Sequence, residues 1–227
     1  YNTNLAPSAS FVSTKVQRDL TTYAESSELN KYGARFKYSR FLKVIDSSHE
    51  SVTSNITTVE MRRDLRLAVS EVAEYAIDFG NEFHVQSMNG FNIRSSAFRV
   101  LNINTDVYLY DIPNSTAEKG QISLFSLNEG SSTPVIQRRN IGVIDYKKGR
   151  ITLDPINIVS GKTKDNVDIL EISATPESND IIGLQDLYLQ LDSSFVDMVV
   201  DEISSGADPS GSTYTVTTSY KNGNIIR

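Results

Sequence analysis

The chain has 227 residues, a formal net charge of −6, 39% hydrophobic and 22% charged residues, which suits one large folded domain or two small ones and excludes a disordered or fibrous chain. It has no cysteine, so disulfide scaffolds, thiolate zinc centres and cysteine nucleophiles are excluded. Lys and Arg are scattered, no apolar run approaches the roughly 20 residues that span a bilayer, and no signal peptide is visible, so neither nucleic acid nor membrane is expected as a partner.

The chain opens at Tyr1 in what reads as mid-strand, as in a C-terminal fragment of a larger protein, and Pro7 breaks that strand. Ser8 and Ser10 are suited to capping a helix whose apolar positions Val12, Val16, Leu20 and Tyr23 step by four, four and three. This helix is predicted to reach about Leu29, with Asn30 and Gly33 ending it. Tyr38, Phe41, Leu42 and Ile45 then place four large apolar groups on one stripe of a second, short helix. The polar run from Asp46 to Ser51 predicts a turn, because short oxygen side chains compete for backbone hydrogen bonds. Val59, Met61, Leu65 and Leu67 share an odd-numbered face and predict a long half-buried strand over Ser54–Leu67.

From there on the chain reads as short alternating runs between turns. Tyr75, Ile77 and Phe79, then Gly80-Asn81, then Phe83 and Val85 predict a hairpin. Strands follow at Ile93–Ile103, Val107–Ile112 and Ile122–Leu127. The stretch GVIDYKKGRITL, Gly142–Leu153, predicts a hairpin in which Gly149 supplies a positive φ, and Pro155 demotes its continuation to an edge or a bulge. A further strand is expected at Val167–Ser173, and alternation at Leu187, Leu189, Leu191 and again at Val196, Met198, Val200 predicts another hairpin. After a linker-like SSGADPSGS, the stretch with Tyr214, Val216 and Tyr220 reads as a last strand or an arm with a free backbone edge.

No chemistry-bearing constellation stands out. The two histidines, His49 and His84, are far from each other in sequence and read as polar-turn and strand-surface residues. No G-x-S-x-G elbow, glycine-rich phosphate loop or calcium-loop spacing is present, and the carboxylates are solitary. These observations predict a non-catalytic chain without cofactor or metal. Eleven tyrosines and nine phenylalanines offer rigid contact surfaces as well as core.

The stretch Arg35–Leu65 resembles the C-terminal part of the baseplate wedge protein of T-even-type contractile phages, related to the baseplate J family. A short helix with F-x-x-S-x-x-x-x-x-I-D is followed there by a polar turn and a strand with S-x-x-T-x-x-x-M/L-x-R. The matching positions include Phe36, Ser39, Ile45, Asp46, Ser54, Thr57 and Met61. The pieces Gly142–Leu153 and Ala174–Asp192 also resemble members of this group. The resemblance implies a virion structural subunit assembled in the host cytoplasm. It implies pairing with a second copy, binding to other wedge proteins including the sheath-initiating subunit, and membership of a ring that changes diameter on contraction.

The expected fold is α+β: a helix pair packed on a strand or sheet within 1–67, a mainly antiparallel β-rich domain over 68–203, and a linker with a terminal strand or arm over 204–227. The expected function is assembly of a baseplate wedge by protein-protein contact, the alternative being a carbohydrate- or receptor-binding β-module. The expected structural or interface residues are Tyr38, Phe41, Leu42, Ile45, Val59, Met61, Tyr146, Tyr214, Val216 and Tyr220. Among them, Phe41, Leu42 and Ile45 are expected to lock the helix pair onto the strand.

Overall fold

A computed structural model describes residues 1–2, 5, 8–128, 133–184, 189–191 and 196–199, and the backbone of 220–221 and 224–225. The first helix, α1 (Ala9–Ala24), starts where Ser8 turns extended and its Oγ accepts from Phe11 N at 3.2 Å, and its buried side is Val12, Val16 and Leu20. It stops short of Leu29 because Glu25, Ser26 and Ser27 pass into tighter turns, with Ser26 N donating to Tyr23 O. After β1 (Arg35–Phe36), α2 (Tyr38–Ser48) extends beyond its predicted end. Ser48 tolerates the helix because its hydroxyl donates back to Val44 O at 2.7 Å, and Lys15 Nζ on α1 donates to the terminal Ser48 carbonyl.

The two helices bury Val12, Val16, Leu20 and Phe41 against one another, with Phe36, Val44, Ile45, Val52, Leu191, Val196 and Met198 around them. This cluster has no residue in common with the larger apolar core of the β region.

That larger core lies between two antiparallel sheets. One contains β2 (Met61–Arg66), β4 (Ile93–Ser95), β10 (Lys162–Lys164) and β11 (Val167–Ala174), with β11 central, β2 on one side and β10 and β4 on the other. The other runs β3 (Val72–Asp78), β9 (Arg150–Ser160), β8 (Pro134–Asp145), β7 (Lys119–Leu127), β6 (Tyr108–Pro113), with β5 (Arg99–Val100) added to β9. Two helices and mainly antiparallel sheets make this an α+β chain.

The hairpin at Gly142–Leu153 is present, Asp145 facing Arg150 and Gly149 at φ +62°. Its far strand does not end at Pro155: the register against β3 shifts between Ala73 and Tyr75, so Glu74 stands opposite both Asp154 and Pro155 in a bulge.

Other expectations are corrected. No hairpin forms at Gly80-Asn81: β3 pairs with the distant β9, and Phe83 makes a single bridge to Pro176. The run Ile93–Ile103 is broken into β4 and β5 because the chain changes sheets there; Ser96 N donates to Glu171 O while Val100 faces Ile158. The long strand over Ser54–Leu67 is paired only from Met61, since its neighbour β11 runs out at Ala174 and Pro176 follows. Of the hairpin expected over Leu187–Val200, residues 189–191 and 196–199 carry no strand, and Leu191, Val196 and Met198 pack on the helix pair. The remainder of that stretch lies outside the described residues, as do Tyr214 and Val216. Tyr220 begins β13 (Tyr220–Lys221), paired with β14 (Asn224–Ile225).

Candidate functional site

A short segment joins the helix pair to the sheets. After Pro176 the chain passes between residues 81–84 on one side and residues 34–38 on the other. On the first side Glu177 N donates to Glu82 O at 2.8 Å, and the Asn81 amide brackets Ile182, accepting from its N–H at 3.0 Å and donating to its carbonyl at 2.9 Å. On the second, β12 (Ile181–Ile182) pairs with β1, and Gly183 N donates to Ala34 O at 2.7 Å. Asp180 completes the join. The Lys37 side chain makes no cap bond to α2, and Asp180 Oδ1 instead accepts from Tyr38 N at 2.8 Å, capping the helix from 142 residues away.

The expected contact residues are distributed as follows. Tyr38 donates its hydroxyl to Thr57 O at 2.7 Å, tying α2 to the stretch that leads into β2. Phe41 is buried against α1, its ring 5.2 Å from that of Phe36 and 6.4 Å from that of Tyr23, and Ile45 joins the same cluster. Leu42 and Val59 are half-buried, and Met61 is buried in the sheet core. Phe41 and Ile45 therefore hold α2 to α1, and the join to the β region is made by Tyr38 and by residues 176–183.

Tyr146 is buried and belongs to a polar centre that the sequence reading missed. Asp111 has no exposed surface; its Oδ1 accepts from Asn92 N (2.7 Å) and Ile93 N (3.0 Å), and its Oδ2 accepts from Asn92 Nδ2 (2.7 Å) and Tyr146 Oη (2.6 Å). Gly90, at φ +93°, lets the preceding loop close over it, since a Cβ there would meet Asp111 O at 2.0 Å. Burial, and then the hydrogen bond to Asp111, push the Tyr146 hydroxyl well above the ordinary phenol range. The only signal for this centre is an acidic residue inside the apolar run VYLYDI, where Leu109, Tyr110 and Asp111 are all buried.

His49 Nδ1 lies 2.8 Å from Ser51 Oγ within its turn, and His84 Nδ1 lies 2.7 Å from Glu177 Oε2 at the surface. Among the described residues no group of three or more His, Asp or Glu is arranged to hold a metal ion. No helix of the described residues is long and apolar enough to cross a membrane.

One open surface is the outer edge of β2. Its neighbour on one side is β11, and no strand of the described residues lies on the other. From Ser54 to Arg66 the even-numbered residues are exposed and the odd-numbered ones are half-buried or buried, so the alternation read in the sequence persists through residues that lack a ladder partner. Ile56, in the middle of the unpaired part, is fully exposed.

No curated protein matches the chain. Residues 1–64, which comprise the helix pair and the stretch leading into β2, match the family model described as baseplate structural protein gp6, C-terminal domain III, and this match supports a structural role in the baseplate of a phage tail.

Proposed function

We propose that the chain is a wedge subunit of a contractile-tail baseplate, acting by protein-protein contact and without catalysis. It pairs with a second copy and binds neighbouring wedge proteins, including the subunit that initiates the sheath, in a ring around the tail axis. The observation that carries this reading is the family match over residues 1–64. The matched stretch also leads into a strand edge that no strand of the described residues covers, a feature that suits assembly. The test is to mix the purified chain with the purified wedge components of a contractile phage and follow them by size exclusion. Co-elution with the sheath-initiating subunit or another wedge protein is expected; migration alone in every mixture would contradict the reading.

One observation favours the carbohydrate-binding alternative. Phe91, half exposed and at φ +64°, stacks on Tyr110 with centroids 5.0 Å apart and meets Phe125 edge-on at 5.4 Å. Tyr110 is buried and Tyr108 and Phe125 are half-buried, so most of this aromatic surface is spent on ring-ring packing. Glycan binding abolished by Phe91→Ala would favour this alternative.

A further inference from the structure

We propose that two copies of this chain join through the outer edge of β2, antiparallel and in one register, with Arg62 of each copy opposite Asp64 of the other. The inference rests on the self-association proposed above and assigns it a surface.

The direction of the backbone groups comes first. Leu67 N donates to Asp168 O at 3.0 Å, and the register of β2 on β11 pairs Leu65 with Leu170, Arg63 with Ile172 and Met61 with Ala174. In an antiparallel ladder hydrogen-bonded pairs alternate, so the N–H and C=O groups of residues 61, 63, 65 and 67 point at β11. Those of Arg62, Asp64 and Arg66 point outward, to the edge that carries no strand of the described residues. On the far side of β11 the same parity holds, since Ser96 N donates to Glu171 O. A strand added to β2 must therefore bond to even-numbered residues, and a second copy can slide only in steps of two.

Charge then selects the step. The even positions read Glu60, Arg62, Asp64, Arg66. Laid antiparallel against itself about Arg63, this series puts Glu60 opposite Arg66, Arg62 opposite Asp64, Asp64 opposite Arg62 and Arg66 opposite Glu60. Every exposed pair is of opposite charge, and the aligned edges offer up to about eight backbone hydrogen bonds. A slip of one step either way sets Arg62 opposite Arg62 with Glu60 opposite Asp64, or Asp64 opposite Asp64 with Arg62 opposite Arg66. Charges on an edge strand commonly keep other chains away. A mixed series that complements its own reverse does not; it admits a second copy and selects the register.

On the opposite face Met61 meets the second copy's Leu65, extending the apolar layer beneath the sheet. Arg63 lies on the two-fold axis opposite itself. Its guanidinium is held within its own chain by the Asp78 carbonyl, at 2.7 Å from Nη1. Asp64 already shares its exposed face with Arg62 at 3.3 Å and Lys164 at 2.7 Å, so the added arginine joins an existing charge network. Arg66, which has no ion pair among the described residues, gains one.

The absence of native cysteine allows a direct test. Arg62→Cys and Asp64→Cys are made separately at exposed positions, and their folding is checked by circular dichroism. Directly opposed residues have Cα atoms about 5.5 Å apart, within disulfide range, so a thiol at position 62 of one copy reaches a thiol at position 64 of the other. In two copies of Arg62→Cys alone the thiols would stand on Cα atoms about 8–9 Å apart, outside that range. Mild oxidation should give covalent dimers from the mixture of the two variants and not from either alone. In parallel, Asp64→Arg should weaken self-association about tenfold or more, and the exchange Arg62→Asp with Asp64→Arg should restore it. A dimer that persists unchanged in Asp64→Arg and gives no mixed crosslink would overturn the β2 edge while leaving self-association standing. A monomer at every concentration would overturn both.

Discussion

Asp111 and Tyr146 show how a polar pair is accommodated in an apolar interior. The carboxyl group takes four donors, two from the backbone of Asn92 and Ile93 where the loop enters β4 and two from side chains, so that entry, β6 and the turn after β8 are held at one point. Removing the phenol leaves a buried acceptor short of a partner, and Tyr146→Phe should destabilise the chain by about 1–3 kcal/mol, read by urea unfolding. The pH dependence follows from the raised hydroxyl pKa. Above the ordinary value of 10.0 the unfolded chain releases the proton while the folded chain retains it, so the unfolded state binds fewer protons and stability falls as pH rises. Below 10.0 this contribution is fully present. Above it the loss approaches about 1.4 kcal/mol per pH unit until the folded hydroxyl also ionises, and in Tyr146→Phe this part of the alkaline loss should be missing.

At the scale of elements, the segment after Pro176 couples two apolar clusters that share no residue. Ile181 packs against the sheet core, Leu191 packs against the helix pair, and Asp180, next to Ile181, caps α2. Asp180→Ala should cost about 1 kcal/mol and fray the start of α2, seen as faster amide exchange at Tyr38, Ser39 and Arg40, with the β-sheet amides little changed. Asp180→Asn, which keeps an acceptor oxygen, should restore most of the protection. Such a cap is invisible to sequence reading because its two halves are 142 residues apart. What is legible in the sequence is local: the Ser8 cap with the Val12, Val16, Leu20 face, and the turn at Gly149 between two alternating runs. Pairing is less legible. Alternation at Tyr75, Ile77 and Phe79 identifies a buried face but not the strand beside it, and β9 lies some 75 residues away. Periodicity likewise does not say which surface buries a side chain. Phe41, Met61 and Tyr146 are expected from their sequence context to be structural or interface residues, and all three are buried within their own chain.

At the scale of the whole molecule, the described residues present a helix pair tied to a β region at one flank and an open strand edge on the sheet that holds β2. A structural subunit needs surfaces that become buried only on assembly, and the pairing proposed for this edge would supply one through backbone groups and alternating charge. The chain is proposed to act by association, with no turnover, and its mass in solution reads that association without any partner protein. Light scattering across concentrations up to about 100 µM should rise from the 25.2 kDa of one chain towards twice that value, as for a micromolar dissociation constant. A mass that stays at one chain over the whole range would contradict self-association.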